Sequence, residues 1–291
     1  MERKAMNNPE QASHAADAPR TSAYRFASIG GRRLAYLDVG EGFPVVLGHS
    51  YLWDAQMWRP QIEALSRHFR VIVPELWGHG RSEAPPPGTT DLEHLAAHHL
   101  ALLDILDIEE CHLVGLSAGG MWGEALAQRA PQRVRKLVLM DTFVGAEPAP
   151  SQIRYFGMLD MIEREGVIPP QVLDAVVPLF FHPAADLDSP LVTAFRASLQ
   201  AFSPQQLVEG IVPMGRIIFG REDQLARLGR LDEERTLVTV GEGDIPRPLE
   251  EARAMAEIIR CPFKSVPKAG HIASLENPAV VNRILLDFLL D

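Results

Sequence analysis

The chain has 291 residues, of which 46% are hydrophobic and 23% charged, a globular composition long enough for a sizeable core. Its formal net charge of −10 argues against a general nucleic-acid or anionic-membrane partner. There is no apolar run long enough for a membrane span and no secretory h-region at the N-terminus, so the cytoplasm is the expected compartment.

Residues 1–22 are polar, Ala-rich and aperiodic, and read as a disordered or loosely packed tail. Tyr24 to Ile29 and Leu34 to Val39 are strand-like runs around a hairpin turn at Gly30-Gly31. Pro44 to Gly48 and Val71 to Val73 are short continuous apolar runs, the pattern of strands buried on both faces. Met57 to Phe69 and Leu92 to Leu106 have helical spacing. Cys111 to Val114 is a further buried strand, Ala118 to Arg129 a helix and Val134 to Met140 a strand. Cys111 and Cys261 are the two cysteines; without C-x-x-C spacing they read as buried free thiols in a reducing compartment. Strand–helix alternation with short connections predicts an α/β fold, a doubly wound, mostly parallel sheet with helices on both faces.

The rhythm breaks after Asp141. Helix-like pieces near Gln152 to Glu165, Pro170 to Leu179, Pro190 to Gln200 and Pro204 to Glu209 are punctuated by prolines. They predict an inserted helical cap over 146–215 between core segments 23–145 and 216–291. Alternation resumes with a strand at Thr236 to Val240, a helix from Pro248 to Ile259, a strand at Phe263 to Val266 and a helix from Pro278 to Leu290.

The chemistry centres on Gly115-Leu116-Ser117-Ala118-Gly119, a G-x-S-x-G pattern between a strand and a helix. A sharp turn there lifts the Ser117 hydroxyl clear of the sheet and aims helix N–H groups at a developing oxyanion. A serine hydroxyl is a weak nucleophile and needs a base, which in turn needs an orienting acid. His271 and Asp244 each follow a predicted strand, on the rim where open α/β sheets bind ligands. The order Ser117, Asp244, His271 is that of a nucleophile–acid–base triad. Asp141 also follows a strand and is the rival acid; the Gly-x-x-Asp spacing favours Asp244 over it and over Glu242. The oxyanion donors expected are the backbone N–H groups of Ala118 and Tyr51, the latter in the loop Leu47 to Trp53. His49 in that loop reads as a fixing residue. Pocket candidates are His49, Trp53, Trp122 and Phe143, with core packing the competing reading for the aromatics. His94 and His98 lie four apart on a helix, but no third ligand stands out and a solvated face explains them; neither metal nor cofactor is expected.

At these residues the chain resembles the lid-bearing α/β-hydrolases. Gly48-His49-Ser50-Tyr51 is similar to the family's oxyanion loop, and Pro74 to Ser82 (PELWGHGRS) to its Pro-Asp-x-x-Gly-His-Gly-x-Ser segment. Gly115 to Gly120, Gly241 to Asp244 and Gly270-His271 complete the set in the family's order. Two positions depart from it: Ser50 stands where glycine is usual, and Glu75 where aspartate is. Ser117 sets the chain apart from the haloalkane dehalogenases and epoxide hydrolases, for which the resemblance implies an aspartate nucleophile. The general layout, with Leu275-Glu276-Asn277-Pro278 after the histidine, resembles 3-oxoadipate enol-lactonase-like hydrolases. The resemblance implies hydrolysis of an ester or lactone of a small to medium, partly apolar molecule through an acyl-enzyme. A carbon–carbon bond hydrolase, a perhydrolase and a non-catalytic ligand-binding receptor stay open as alternatives. Oligomeric state is also open, a homodimer among the options.

Overall fold

Backbone pairing builds one sheet of eight strands in the computed structural model, which describes residues 24–291. The expectation for residues 1–22 lies outside the described residues. Strands β1 (Arg25–Ile29) and β2 (Arg32–Val39) form the antiparallel hairpin, and β2 pairs antiparallel with β4 (Arg70–Pro74). The remaining pairings are parallel and bring in β3 (Pro44–Gly48), β5 (Cys111–Leu116), β6 (Val134–Met140), β7 (Thr236–Gly241) and β8 (Phe263–Val266). The order is β1-β2-β4-β3-β5-β6-β7-β8. The expected mostly parallel α/β sheet is therefore present. All six residues of β5 are buried, which explains its nearly continuous apolar run, broken only by His112: a central parallel strand meets packed side chains on both faces.

Between β3 and β4 the expected single helix divides. Ala55–Trp58 is a 3₁₀ turn whose Asp54 cap accepts from the Gln56 N–H at 2.8 Å, and α1 (Arg59–Leu65) starts afresh there. Pro60 dictates the break, because proline fits a first helical turn and not an interior. Helix α2 (Leu92–Ile105) is capped by Asp91, which accepts from the His94 N–H at 2.9 Å, and it packs on α3 (Ala118–Arg129).

The segment between β6 and β7 holds α4 (Ala149–Glu165), α5 (Pro170–Val176), α6 (Pro190–Gln200), α7 (Pro204–Gln206) and α8 (Val212–Phe219), with a π-helical turn at Leu207–Ile211. Each of these five helices has proline in its first turn, so the prolines open helices here. Because Pro213 opens α8, the helical run continues past 215 to Phe219. The π-helical turn lies on the sheet domain at one glycine pair. A Cβ on Gly78 would collide with the Gly210 backbone, and the Tyr51 hydroxyl donates to the Ile211 carbonyl at 2.8 Å. The chain then returns through β7, α9 (Leu249–Ile259), β8, a single turn α10 (Ala273–Glu276) and α11 (Pro278–Leu290), which packs on α1. Helix α10 escaped the sequence reading because one turn has no period to detect. Among the described residues no helix is long and apolar enough to cross a membrane.

Candidate active site

Strand β5 delivers the chain to Ser117, whose φ of 55° and ψ of −116° place it in a region that non-glycine residues seldom occupy. Surrounding contacts hold it there. Its N–H donates to the Met140 carbonyl at 2.9 Å, and Thr142 Oγ1 donates to the Ser117 carbonyl at 2.7 Å. The flanking glycines are dictated by close approach. A Cβ at Gly115 would fall on the Gly119 carbonyl, and one at Gly119 on the Gly48 carbonyl, so α3 can begin directly over β3.

The loop after β3 is fixed by two buried imidazoles. The Leu76 N–H donates to His49 Nε2 at 2.8 Å, so the His49 proton is on Nδ1, which donates to the Ser50 carbonyl at 2.8 Å. The Leu52 N–H donates to His79 Nε2 at 3.1 Å, and His79 Nδ1 donates to the Trp77 carbonyl at 2.9 Å. Leu52 has a φ of 69°, and this bond helps hold it there. Burial pushes His49 down to about 3 and His79 to about 4, so both are neutral spacers at pH 7. The N–H groups of Tyr51 and Ala118 donate to no protein acceptor among the described residues.

His271 Nδ1 donates to Asp244 Oδ2 at 2.9 Å, which leaves Nε2 as the acceptor nitrogen. The other Asp244 oxygen accepts the Arg247 N–H at 2.9 Å. Burial pushes the His271 imidazole down to about 4. Asp141 lies behind this pair: its Oδ1 accepts the Gly241 N–H at 2.7 Å, and its Oδ2 has no conventional partner. Burial raises both carboxyls well above the usual range; the neighbouring Asp244 charge raises Asp141 further, while Arg247 and a hydrogen bond from Asp141 pull Asp244 back down. Asp244 has two donors aimed at it and Asp141 one, so the charge is favoured on Asp244 and the proton on Asp141. Glu242 is turned away, accepting from Ser265 Oγ at 2.9 Å.

Ser117 and His271 line one cavity of about 90 Å³, together with Ser50, Tyr51, Met121 and residues of the helical segment. Their side chains make no direct hydrogen bond, a looseness common before a ligand tightens the site. None of the four pocket candidates lines this cavity. His49 is consumed in fixing its loop. Trp53 stacks on Phe195, with centroids 4.2 Å apart, and lines a separate cavity of about 430 Å³. Trp122 stacks on His99 at 3.7 Å, because successive helix residues point about 100° apart and Met121 takes the inward direction. Phe143 is half-buried beside Gly145. The wall is built instead by Tyr155, Met158, Leu159 and Ile162 of α4, with Arg247 after the acid. The α4 set has i, i+3, i+4, i+7 spacing, a signal the sequence carried; it marks an apolar face but not what that face meets.

Residues 44–163 match the family described as alpha/beta hydrolase fold. The chain is 32% identical, over 283 residues, to the dihydrolipoyllysine-residue acetyltransferase component of the acetoin cleaving system of Pseudomonas putida, covering 94% of this chain and 71% of the relative. A thermophilic esterase from Thermogutta terrifontis, solved with malate bound, superposes with a TM-score of 0.80 at 29% identity, over 92% of this chain and 98% of the esterase. The enol-lactonase from Burkholderia xenovorans LB400 superposes with a TM-score of 0.79 at 26% identity, over 92% of this chain and 100% of the lactonase. The architecture and these matches agree: the chain belongs to the α/β-hydrolase fold family, and it is a hydrolase.

Proposed function

We propose that the protein is a serine hydrolase that cleaves a carboxylic ester or lactone through an acyl-enzyme. The observation that carries this reading is the His271–Asp244 hydrogen bond of 2.9 Å, on the wall of a cavity that His271 shares with the strained Ser117. The likeness to an esterase and an enol-lactonase supports it. In the mechanism, Ser117 Oγ attacks the substrate carbonyl carbon while His271 Nε2 takes its proton. Asp244 holds the tautomer that leaves Nε2 basic and stabilises the imidazolium. The Tyr51 and Ala118 N–H groups receive the oxyanion. As the tetrahedral intermediate collapses, His271 gives the proton to the departing alkoxide. It then takes a proton from the water that attacks the acyl-enzyme, and the Ser117 hydroxyl is restored. The helices from Ala149 to Phe219 act as the cap that encloses the acyl part.

The test is intact-protein mass after mixing with p-nitrophenyl butyrate. A gain of one butyryl group on the wild type, absent from Ser117→Ala, is expected. Absence of both adduct and turnover would leave a ligand-binding role on the same fold.

Two further results follow from the site. Asp244→Asn is expected to lower kcat by about 10³- to 10⁴-fold, because an amide allows the wrong His271 tautomer. Asp141→Asn should change kcat only a few-fold, since an amide can accept from the Gly241 N–H and donate to Asp244. Equal losses in steady-state assays of the two variants would remove Asp244 from its role. The second result concerns pH. His271 acts only when unprotonated, and burial holds it near 4 against an ordinary 6.5. The acid limb of kcat/KM should therefore lie well below pH 6.5, with activity lost as pH falls towards about 4. An acid limb centred at 6.5 or above would contradict this.

A further inference from the structure

The cavity wall is hydrocarbon almost throughout. With His271 held neutral, Arg247 is the one side chain among its lining residues that carries a full charge at pH 7. That charge is cancelled from behind. Arg247 Nη2 donates to both oxygens of Glu147, at 2.8 and 2.6 Å, and Nη1 lies 3.4 Å from Glu251 Oε2. Arg221 Nη1 donates to Glu147 Oε2 at 3.0 Å and to the Ile218 carbonyl at 2.8 Å. The side chains of Arg247, Arg221 and Glu147 are 5%, 1% and 2% exposed, a desolvated core of two guanidiniums and one carboxylate, with the 23%-exposed Glu251 as a second carboxylate at its edge. Arg221 keeps two donor nitrogens without partners among the described residues, but it does not line the cavity.

Burying a charge is costly unless it is paired, and a guanidinium already held by both oxygens of a buried carboxylate gains little from a second anion. A substrate carboxylate in this cavity would face apolar side chains and an arginine whose charge Glu147, shared with Arg221, offsets together with Glu251. Displacing Glu147 would strand its own charge between Arg221 and the protein interior. The positions involved also bear on the chemistry. Glu147 precedes α4, Arg221 follows α8, and the Arg247 backbone N–H holds Asp244.

We propose that Glu147 is a specificity-determining residue: by neutralising Arg247 at the cavity wall, it makes the site select esters or lactones with an uncharged hydrocarbon acyl part and reject those bearing a carboxylate. This rests on the ester or lactone reading of the site. It separates the substrate from the acidic lactone that a 3-oxoadipate enol-lactonase-like layout would imply.

The test compares p-nitrophenyl hexanoate with p-nitrophenyl hydrogen adipate, equal in chain length and different in one terminal carboxylate. The wild type should prefer the neutral ester by on the order of 100-fold or more in kcat/KM. In Glu147→Gln the preference should narrow about tenfold or more, through a lower KM for the adipate ester, because Arg247 then has a charge to offer. A wild-type ratio near one overturns the selectivity. An unchanged ratio in a Glu147→Gln protein with a wild-type melting curve overturns the role of Glu147. Should that variant fail to fold, Glu147→Asp keeps the charge and should keep the neutral preference; loss of it there overturns the proposal.

A binding arm separates this inference from the catalytic reading. Thermal shifts of Ser117→Ala protein should show stabilisation by methyl hexanoate and not by monomethyl adipate. That pattern without wild-type turnover of either ester would sink the hydrolytic reading and leave the selectivity standing. Equal stabilisation by both, or by neither, would sink the selectivity.

Discussion

Ser117→Ala is expected to lower kcat on p-nitrophenyl esters by about 10⁵- to 10⁶-fold while leaving the fold in place. The size of the effect follows from the division of labour at the elbow. The hydroxyl is the only part of Ser117 that reacts; its backbone is held by the Met140 carbonyl and by Thr142, neither of which touches the side-chain oxygen. Alanine meets the same positive-φ strain as serine, so the turn, the free N–H groups and the His271–Asp244 pair should persist. What survives is the modest catalysis available from binding and from oxyanion stabilisation, since the members of a triad act as a unit. The check is kcat by stopped flow or long-time assay, alongside a thermal melt. A loss of only a few-fold with an unchanged melt would move the nucleophile to another residue.

Gly119→Ala should produce the largest structural effect, a destabilisation of about 3–5 kcal/mol or more, at the upper end of what one substitution does. Local propensity predicts the opposite, because alanine is better than glycine within a helix by about 1 kcal/mol. Sterics decide the sign. A Cβ at Gly119 would overlap the carbonyl and Cα of Gly48, and these are backbone atoms of a strand paired on both sides, to β4 and β5. They cannot step aside as a flexible side chain can, so α3 would have to lift from β3 and carry Ala118 away from Tyr51. Activity should fall with stability, and the fall should exceed what the unfolded fraction explains. Gly157 is the control. It lies exposed in α4 with nothing within 4 Å of where its Cβ would be, so Gly157→Ala should stabilise by about 0.5–1 kcal/mol. Chemical denaturation of the two variants measures both values. Similar small changes at the two sites would mean that the packing of α3 on β3 is not as close as Gly48 and Gly119 require.

The α/β class, the strand order along the chain and the elbow were legible in the sequence because each rests on short-range chemistry. A parallel strand covered on both faces reads as a near-continuous apolar run, as Cys111 to Leu116 does with His112 as its one polar residue. A strand-to-helix turn that packs against a neighbouring strand must use small residues, as Gly115 and Gly119 do. The rim position of Asp244 and His271 also followed, because each stands just past a strand. Between the two acids the Gly-x-x-Asp spacing favoured Asp244, and Asp244 is the one that His271 Nδ1 meets. Both follow parallel strands, and β6 and β7 are neighbours, so the two carboxyls arrive side by side. Only the orientation of each loop determines which one meets the imidazole.

The cavity wall shows the same limit from another side. The sequence drew attention to Trp53, Trp122 and Phe143 as large aromatics near the motifs, but size and proximity along the chain do not fix direction. Met121 rather than Trp122 faces the cavity because α3 is rotated by its contacts with α2 and β3. The apolar stripe of α4 was visible as a period, while its partner across the cavity was not. By itself, then, the sequence determined the sheet, the elbow and the residue types at its rim, because backbone hydrogen bonding and local sterics restrict them within a few neighbouring positions. The tertiary structure alone decided the contacts between loops, such as Glu147 with Arg221 and with Arg247, 74 and 100 positions apart. Charges that far apart in the chain have no shared pattern to read. They meet because the sheet's strand order and the helices packed on it bring the start of one loop and the ends of two others to the same desolvated place, and there an ion pair forms only if all three arrive together.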